Sequence, residues 1–189
     1  MTKFLTKISL ALILFSCTNN DKAKNPNLSK GTPSVDSNNK NASRITDDNY
    51  FKIGKDSITI LPFEIEVRLS TKAEERITKG KETIIVHVFF EGTPKDSSHA
   101  ELEEDGSFFV ASAKKEILYG QVAKFDNIKF SKKIYNQLAD KDIDLGVNVY
   151  TGRKSSPDNL LNGDALFDKI SNVVNKKFTL KCKLIYGDD

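Results

Sequence analysis

Apolar and polar residues alternate along most of the chain from residue 48 onward, which is the pattern of half-buried β-strands. In the segment FEIEVRLS, residues 63–70, the four apolar side chains share one face and the charged side chains share the other. Ile58 and Ile60, just upstream, have the opposite parity. The pattern therefore predicts a strand on each side of a break or bulge at the Leu61-Pro62 step.

Several later segments repeat the strand pattern. ETIIVHVFF is apolar on both faces and predicts a central strand that is covered on each side, while IDLGVNVY and FTLKCKLIY alternate. SFFVAS and EILYG predict two short strands, and AKFDNIKF predicts a strand with a bulge near Asp126-Asn127. Tyr186 would continue the inward-facing side of the last strand.

Three segments predict short helices. STKAEERITKG has Thr71 and Glu74 at the spacing of a capping box and Gly80 as a stop, and SKKIYNQLAD has Ser131 as its N-cap. DALFDKISNVVNK carries an apolar stripe at helical spacing. The whole pattern predicts a mainly β fold: an antiparallel β-sandwich, Ig-like or related, of about seven strands with two or three short helices covering its ends.

The first seventeen residues have a different pattern. Lys3 and Lys7 precede an apolar run that is about half the roughly 20 residues needed to cross a bilayer, as in a secretory signal peptide. The run ends in Leu14-Phe15-Ser16-Cys17, which resembles the lipobox of bacterial lipoproteins. The resemblance implies that residues 1–16 are removed and that Cys17 is acylated. The alternative is an N-terminal helix or an uncleaved anchor with a buried free thiol.

Residues 17–47 are rich in Asn, Ser, Lys, Pro and Gly and contain no aromatic residue. Such a segment cannot bury enough apolar surface to form a core, so it predicts a disordered tether between Cys17 and a β-sandwich domain at 48–189. Thr18 stands where an inner-membrane retention signal of enterobacterial lipoproteins has Asp. The expected localisation is therefore lipid-anchored at a membrane, the outer one if the host has two, facing the periplasm or the surface.

Removal of the signal peptide also changes the charge. The full chain has a formal net charge of +3, and without Lys3 and Lys7 it falls to about +1. The remaining lysines are scattered among acids, so nothing favours nucleic acid as a partner. The expected contacts are the membrane, through lipid on Cys17, and an unknown envelope protein or glycan.

The sequence displays no catalytic cluster. His87 lies in the apolar strand on the face of Ile85 and Phe89, as a structural histidine would. His99 lies in the polar loop GTPKDSSHAELEEDG beside an aspartate and two serines, but neighbours in one loop rarely hold a nucleophile and its base rigidly. Cys182 faces inward on the last strand, where a buried and unreactive thiol is expected.

One segment has the acid spacing of a calcium loop. Asp140, Asp142 and Asp144 occupy every second position, although Leu145 and Thr151 stand where an EF-hand requires Gly and Glu. Three carboxylates at a sandwich end remain a chemically reasonable Ca²⁺ site without an EF-hand. No other cofactor is indicated.

The loop YTGRKSSPDNLLNGD is a second place for recognition. It holds Arg153, Lys154, Asp158 and Asn159 between two ordered segments, and loops on rigid scaffolds often carry binding residues. The alternative is a solvated connection. The loop that contains His99 is the other candidate for recognition.

These observations favour a membrane-anchored lipoprotein whose domain is a non-enzymatic binding or assembly module of the cell envelope or surface. Two alternatives stay open. One is a calcium-dependent surface-binding domain, and the other is an envelope hydrolase whose acid, base or nucleophile the fold would have to bring together.

Overall fold

The alternating segments form β-strands that pair as three sheets, as seen in a computed structural model of the chain. The structure describes residues 49–99, 102–104 and 106–187, except for the side chain of His99. Within these residues there are eleven strands and three α-helices: β1 Phe51–Ile53, β2 Ser57–Ile60, β3 Phe63–Leu69, α1 Thr71–Gly80, β4 Ile84–Gly92, β5 Phe108–Ile117, β6 Val122–Phe125, β7 Lys129–Ser131, α2 Lys132–Gln137, β8 Asp144–Thr151, β9 Leu161–Gly163, β10 Leu166–Lys169, α3 Ile170–Val173 and β11 Lys177–Leu184. The predicted signal peptide, Cys17 and the tether lie outside the described residues.

Four strands in the order β10-β8-β4-β5 form a sheet with antiparallel pairing throughout, called here the antiparallel sheet. β4 is a central strand, as predicted. Ile84, Val86, Val88 and Phe90 are fully buried on its inner side. The expectation that its other side is also covered is wrong, because the alternate residues are only half-buried.

A second sheet has the order β6-β3-β11-β9 and is called the mixed sheet. β3 pairs with β11 in parallel, with Ile65 opposite Phe178 and Val67 opposite Leu180. This pair departs from the predicted antiparallel arrangement. Residues 70–176 separate the two strands, so no short hairpin turn dictates their direction.

The inner faces of these two sheets share one hydrophobic core, which confirms the mainly β class and the β-sandwich. Phe63 of β3 meets Phe90 of β4 edge to face, with ring centroids 6.2 Å apart, and stacks on Phe125 of β6 at 5.1 Å. All three rings are buried. Burial of such side chains contributes about 1.5–3 kcal/mol each and is the main force that holds the sheets together.

A small third sheet has the order β1-β2-β7, and its buried side chains belong to the same core. Phe51 contacts Phe130 and Tyr135 edge to face, with centroids 5.8 and 5.6 Å apart, so the small sheet and α2 share an aromatic cluster. Ser131 is the N-cap of α2, as predicted, because its hydroxyl accepts a hydrogen bond from the Ile134 amide at 3.2 Å.

The number of strands exceeds the predicted seven because six of the eleven described strands have only three or four residues. The break at Pro62 is confirmed: β2 and β3 belong to different sheets. SFFVAS and EILYG are not two strands: β5 runs from the first segment into the second and ends at Ile117, and Val110 is the extra residue of a bulge. The expected bulge at Asp126-Asn127 is instead a break, since β6 and β7 belong to different sheets.

The helix boundaries also differ from those predicted. The N-cap of α1 is Ser70, not Thr71, and its hydroxyl accepts from the Ala73 amide. The helix ends with Lys81, not Gly80, in the left-handed conformation. The segment predicted as the third helix begins as β10, because pairing with β8 overrides its helical spacing, and only α3 is helical.

Tyr186 lies beyond the end of β11 and is exposed, not inward-facing.

None of the helices within the described residues combines the length and the apolar character needed to cross a membrane.

Candidate functional site

The side chains of the antiparallel sheet that point away from the core form a surface called here the outer face. They alternate with the core residues, and strand pairing sets them in rows across the sheet. The outer face consists of Ile85, His87, Phe89, Ser112, Lys114, Glu116, Gly146, Asn148, Tyr150 and Phe167.

Two phenylalanines form the centre of the outer face. The rings of Phe89 and Phe167 meet edge to face at 6.1 Å with an interplanar angle of 71°. Phe167 is 70% exposed. Gly146 lies between them in the pairing, opposite both residues, so there is room for the ring of Phe89 to lie over the backbone of β8.

His87 lies next to this pair, with its ring centroid 6.1 Å from that of Phe89. The imidazole is half-buried. Its pKa is lowered because burial disfavours the charged form and because the positive charge of Lys114, opposite it on β5, is nearby. At neutral pH the histidine is therefore uncharged, so its ring extends the weakly polar surface of the phenylalanines.

A cavity of about 500 Å³ opens at the end of the outer face where Ile85 pairs with Tyr150. We call it the Arg153 pocket. Its walls combine one aliphatic side chain, hydroxyl and amide groups, and a guanidinium group. The lining residues are Ile85, Asn148, Tyr150, Thr151, Gly152, Arg153 and Asn159.

The loop that carries Arg153 is fixed by a buried carboxylate, Glu82, which is 2% exposed. Its Oε1 accepts hydrogen bonds from the amides of Thr83 and Lys154 at 3.1 and 2.9 Å. Its Oε2 accepts from the amide and the hydroxyl of Ser155 at 2.7 and 2.8 Å. The sequence pattern does not indicate this role, because Lys154 and Ser155, the loop residues that Glu82 binds, are more than seventy positions away along the chain.

Burial alone would raise the pKa of Glu82, but the hydrogen bonds from Lys154, Ser155 and Thr83 outweigh it and lower the pKa to about 2. The carboxylate is therefore ionised at any physiological pH. It holds two consecutive amides of the loop directly after Arg153, whose own backbone has a left-handed φ of 58°.

Of the four residues of this loop that were predicted to take part in recognition, Asn159 and Lys154 have side chains that bind other residues of the domain. The side-chain Oδ1 of Asn159 accepts hydrogen bonds from the backbone amides of Thr151 and Leu161, and its Nδ2 donates to the Leu161 carbonyl. The Lys154 ammonium lies 3.2 Å from a carboxylate oxygen of Glu116.

The other two loop residues are exposed. Asp158 lies in a local turn where its amide donates to the Ser156 hydroxyl. Arg153 lines the pocket, and its guanidinium has no ion-pair or hydrogen-bond partner among the described residues.

The three aspartates of the calcium hypothesis have separate partners. Asp140 accepts from the Asp142 amide, and Asp142 accepts from the amide and the hydroxyl of Ser171, all at 2.9 Å. Asp144 forms an ion pair with Lys169 at 2.8 Å. Within the described residues, no group of three or more His, Cys, Asp or Glu residues is arranged to hold a metal ion. The structure thus does not bring these carboxylates together as a calcium site.

The loop that contains His99, the other candidate for recognition, has hydrogen bonds between neighbouring residues. Asp96 accepts hydrogen bonds from the amide and the hydroxyl of Ser98 at 2.9 and 2.6 Å. His99 ends the 3₁₀ turn Ser97–His99, and its side chain lies outside the described residues. The Ser98 hydroxyl thus donates to a neighbouring carboxylate, which orders the turn.

Cys182 is 4% exposed on the inner side of β11, as predicted. Burial, together with the negative charge of Asp164, raises the pKa of its thiol to about 12. The thiol is therefore protonated at neutral pH and a poor nucleophile.

Comparison with known proteins gives no further indication of function: no family model matches the chain, and no curated protein or solved structure is significantly similar to it. The outer face and the Arg153 pocket therefore carry the functional argument by themselves.

Proposed function

We propose that the protein is a non-enzymatic binding module of the bacterial envelope, held at a membrane by lipid on Cys17, and that it contacts a partner protein through the outer face. The observation that carries the proposal is the exposed pair Phe89 and Phe167. Phe167 projects most of its ring into solvent while its edge is positioned by a second ring.

Aromatic side chains favour a protein as the partner. They contribute much of the binding energy at protein interfaces, because a rigid ring buries a large apolar area and loses little conformational entropy on binding. The chain contains no tryptophan, and the two central rings are phenylalanines without a polar group. An apolar side chain of a partner protein is the natural contact for such a surface.

The exposed side of the mixed sheet offers a contrast. There the charged side chains pair across strands, with Lys124 3.1 Å from Glu64 and Lys177 2.7 Å from Glu66. Such paired charges are typical of a solvated surface. The two sides of the sandwich therefore differ in chemistry, and the aromatic side is the one suited to binding.

The proposed anchor rests on the sequence. The composition of residues 17–47 predicts a disordered tether, and a flexible chain of about thirty residues would have a root-mean-square reach of roughly 30 Å. Labelling of cells with radioactive palmitate tests the anchor. Label in the natural chain and none in Cys17→Ala is the expected result, and equal label in both would contradict it.

Site-specific photocrosslinking in intact cells tests the binding surface. A photoreactive amino acid is placed at Phe167, at Ser112 on the same face, and at Thr179 on the exposed side of the mixed sheet as the control. We expect one protein to be crosslinked from positions 167 and 112 and not from 179. Its yield should fall in Phe89→Ala. Equal crosslinking from all three positions, or from 179 alone, would contradict the proposal.

A further inference from the structure

The Arg153 pocket contains an unpaired positive charge, carried by a residue whose neighbouring backbone is fixed. The two amides after Arg153 are held by the buried Glu82 carboxylate, and the Gly152 amide before it donates to the Thr83 carbonyl at 2.9 Å. Backbone groups on both sides of Arg153 are thus fixed. A ligand that binds the guanidinium would not have to order the loop, which reduces the entropy cost of binding.

Arg153 has a left-handed backbone conformation, in which an arginine is unusual. A left-handed backbone disfavours residues with a Cβ atom and is adopted most readily by glycine, or by asparagine. Of the other non-glycine residues with positive φ within the described ranges, Asn175 is of the tolerant type and Lys81 ends a helix. Arg153 has neither reason, so the position retains a side chain that the backbone disfavours.

The charges around the pocket favour an anion. Lys154 and Glu116 pair with each other, and the Glu82 charge is buried under the loop and met by hydrogen bonds. Arg153 is thus the charged residue that lines the cavity, beside the amide of Asn148 and the hydroxyl of Tyr150. A planar guanidinium with neighbouring donors is suited to a carboxylate, which it binds through two parallel hydrogen bonds.

The pocket and the phenylalanine pair lie on one continuous surface. Phe167 is opposite Gly146 on β8, and Tyr150 of the pocket lies four residues further along the same strand. Four residues of a strand span about 13 Å. An extended peptide with an apolar residue and an acidic residue four positions apart would therefore reach both sites.

We infer that the Arg153 pocket binds the carboxylate of an aspartate or glutamate of the partner protein, four residues from an apolar side chain that contacts Phe167. The inference rests on the proposed function, because it assumes that the outer face binds a protein. It adds the chemistry by which one partner is selected over others.

Two fluorescein-labelled peptides test the inference: Phe-Ser-Ser-Ser-Glu-amide and its uncharged counterpart Phe-Ser-Ser-Ser-Gln-amide. Binding to the lipidated protein in detergent is measured by fluorescence anisotropy. We expect the Glu peptide to bind about tenfold more tightly than the Gln peptide. Arg153→Gln should remove this preference. Lys154→Gln, which removes the same charge from the adjacent, paired residue, should retain it.

The outcomes separate the inference from the proposed function. Equal binding of both peptides to the natural protein, or a preference that persists in Arg153→Gln, would overturn the carboxylate assignment. If Phe167→Ala then weakens the binding of both peptides equally, the proposed protein-binding role of the outer face is supported although the carboxylate assignment is wrong. A third outcome is that neither peptide binds, whereas trigalacturonate binds to the natural protein and not to Arg153→Gln. The partner would then be an acidic glycan, and this would overturn both the inference and the proposed protein partner. Circular dichroism establishes that each variant is folded.

Discussion

The ring of Phe89 lies directly over Gly146 on the neighbouring strand. A Cβ atom added at residue 146 would be 2.2 Å from Cζ and 2.3 Å from Cε2 of that ring. The ring of Phe89 can therefore take this position only because residue 146 is a glycine, and in this position it contacts Phe167. The shape of the outer face depends on the absence of one methyl group.

Gly146→Ala should displace the Phe89 ring and lower the free energy of unfolding by about 1–2 kcal/mol, as for other overpacked sites. Urea denaturation measures this loss. It should be accompanied by a lower yield of crosslinking from position 167. In a Phe89→Ala background the same substitution should cost almost nothing, because the clash is removed. An equal cost in both backgrounds would show that the ring is not what excludes the methyl group.

Glu82→Gln should lower the stability of the domain at neutral pH, because the NH2 group that replaces one of the two carboxylate oxygens cannot accept a hydrogen bond from a loop amide. In the folded protein the pKa is about 2, against an ordinary value of 4.5. The unfolded state thus takes up a proton first as the pH falls. The stabilisation, on the order of 3 kcal/mol, is present above pH 4.5 and is lost between pH 4.5 and 2.

The measurement is the urea midpoint of unfolding from pH 7 to pH 2.5. The natural protein should lose stability across that range more steeply than Glu82→Gln. Glu116→Gln, a substitution of an exposed acid beside the same loop, is the control and should resemble the natural protein. If Glu82→Gln and the natural protein lose stability in parallel, the buried carboxylate does not hold the loop.

Arg153→Gly should fold at least as well as the natural protein and gain up to about 1 kcal/mol in free energy of unfolding, because glycine adopts the left-handed conformation without strain. Lys81→Gly, at the left-handed end of α1, should behave alike. Only the change at residue 153 should weaken the Glu peptide. A large loss of stability in Arg153→Gly would mean that the side chain holds the loop instead of serving a ligand.

Cys182 should not react with thiol reagents in the folded protein. Its thiol is buried and has a pKa of about 12, so the thiolate is scarce at pH 8. With dithionitrobenzoate, colour should develop only when urea unfolds the domain. Immediate stoichiometric reaction in the native state would show that the inner side of β11 opens to solvent.

The sequence predicted the strands with clear alternation, because one face of each is buried and the period of two is visible in the residues themselves. β10 was missed because the spacing in 164–176 also suits a helix, and only its partner β8 decides between the two. Arg153 was predicted to belong to a recognition loop from its surroundings. Its fixed conformation was not predictable, since Glu82 lies 71 positions before it and acts through backbone amides that the sequence does not distinguish.

The parallel pairing of β3 with β11 also constrains the order in which the domain can fold. Residues 177–184 form β11, which follows every other strand of the mixed sheet in chain order, yet they are the neighbours on which β3 depends in that sheet. Until they emerge, β3 has one edge unpaired and the buried side chains of the mixed sheet face an incomplete layer. Long-range pairing of this kind slows folding, because a large loop must close before its contacts form. A nascent domain would thus remain open, and dependent on protection from aggregation, until β11 has been synthesised.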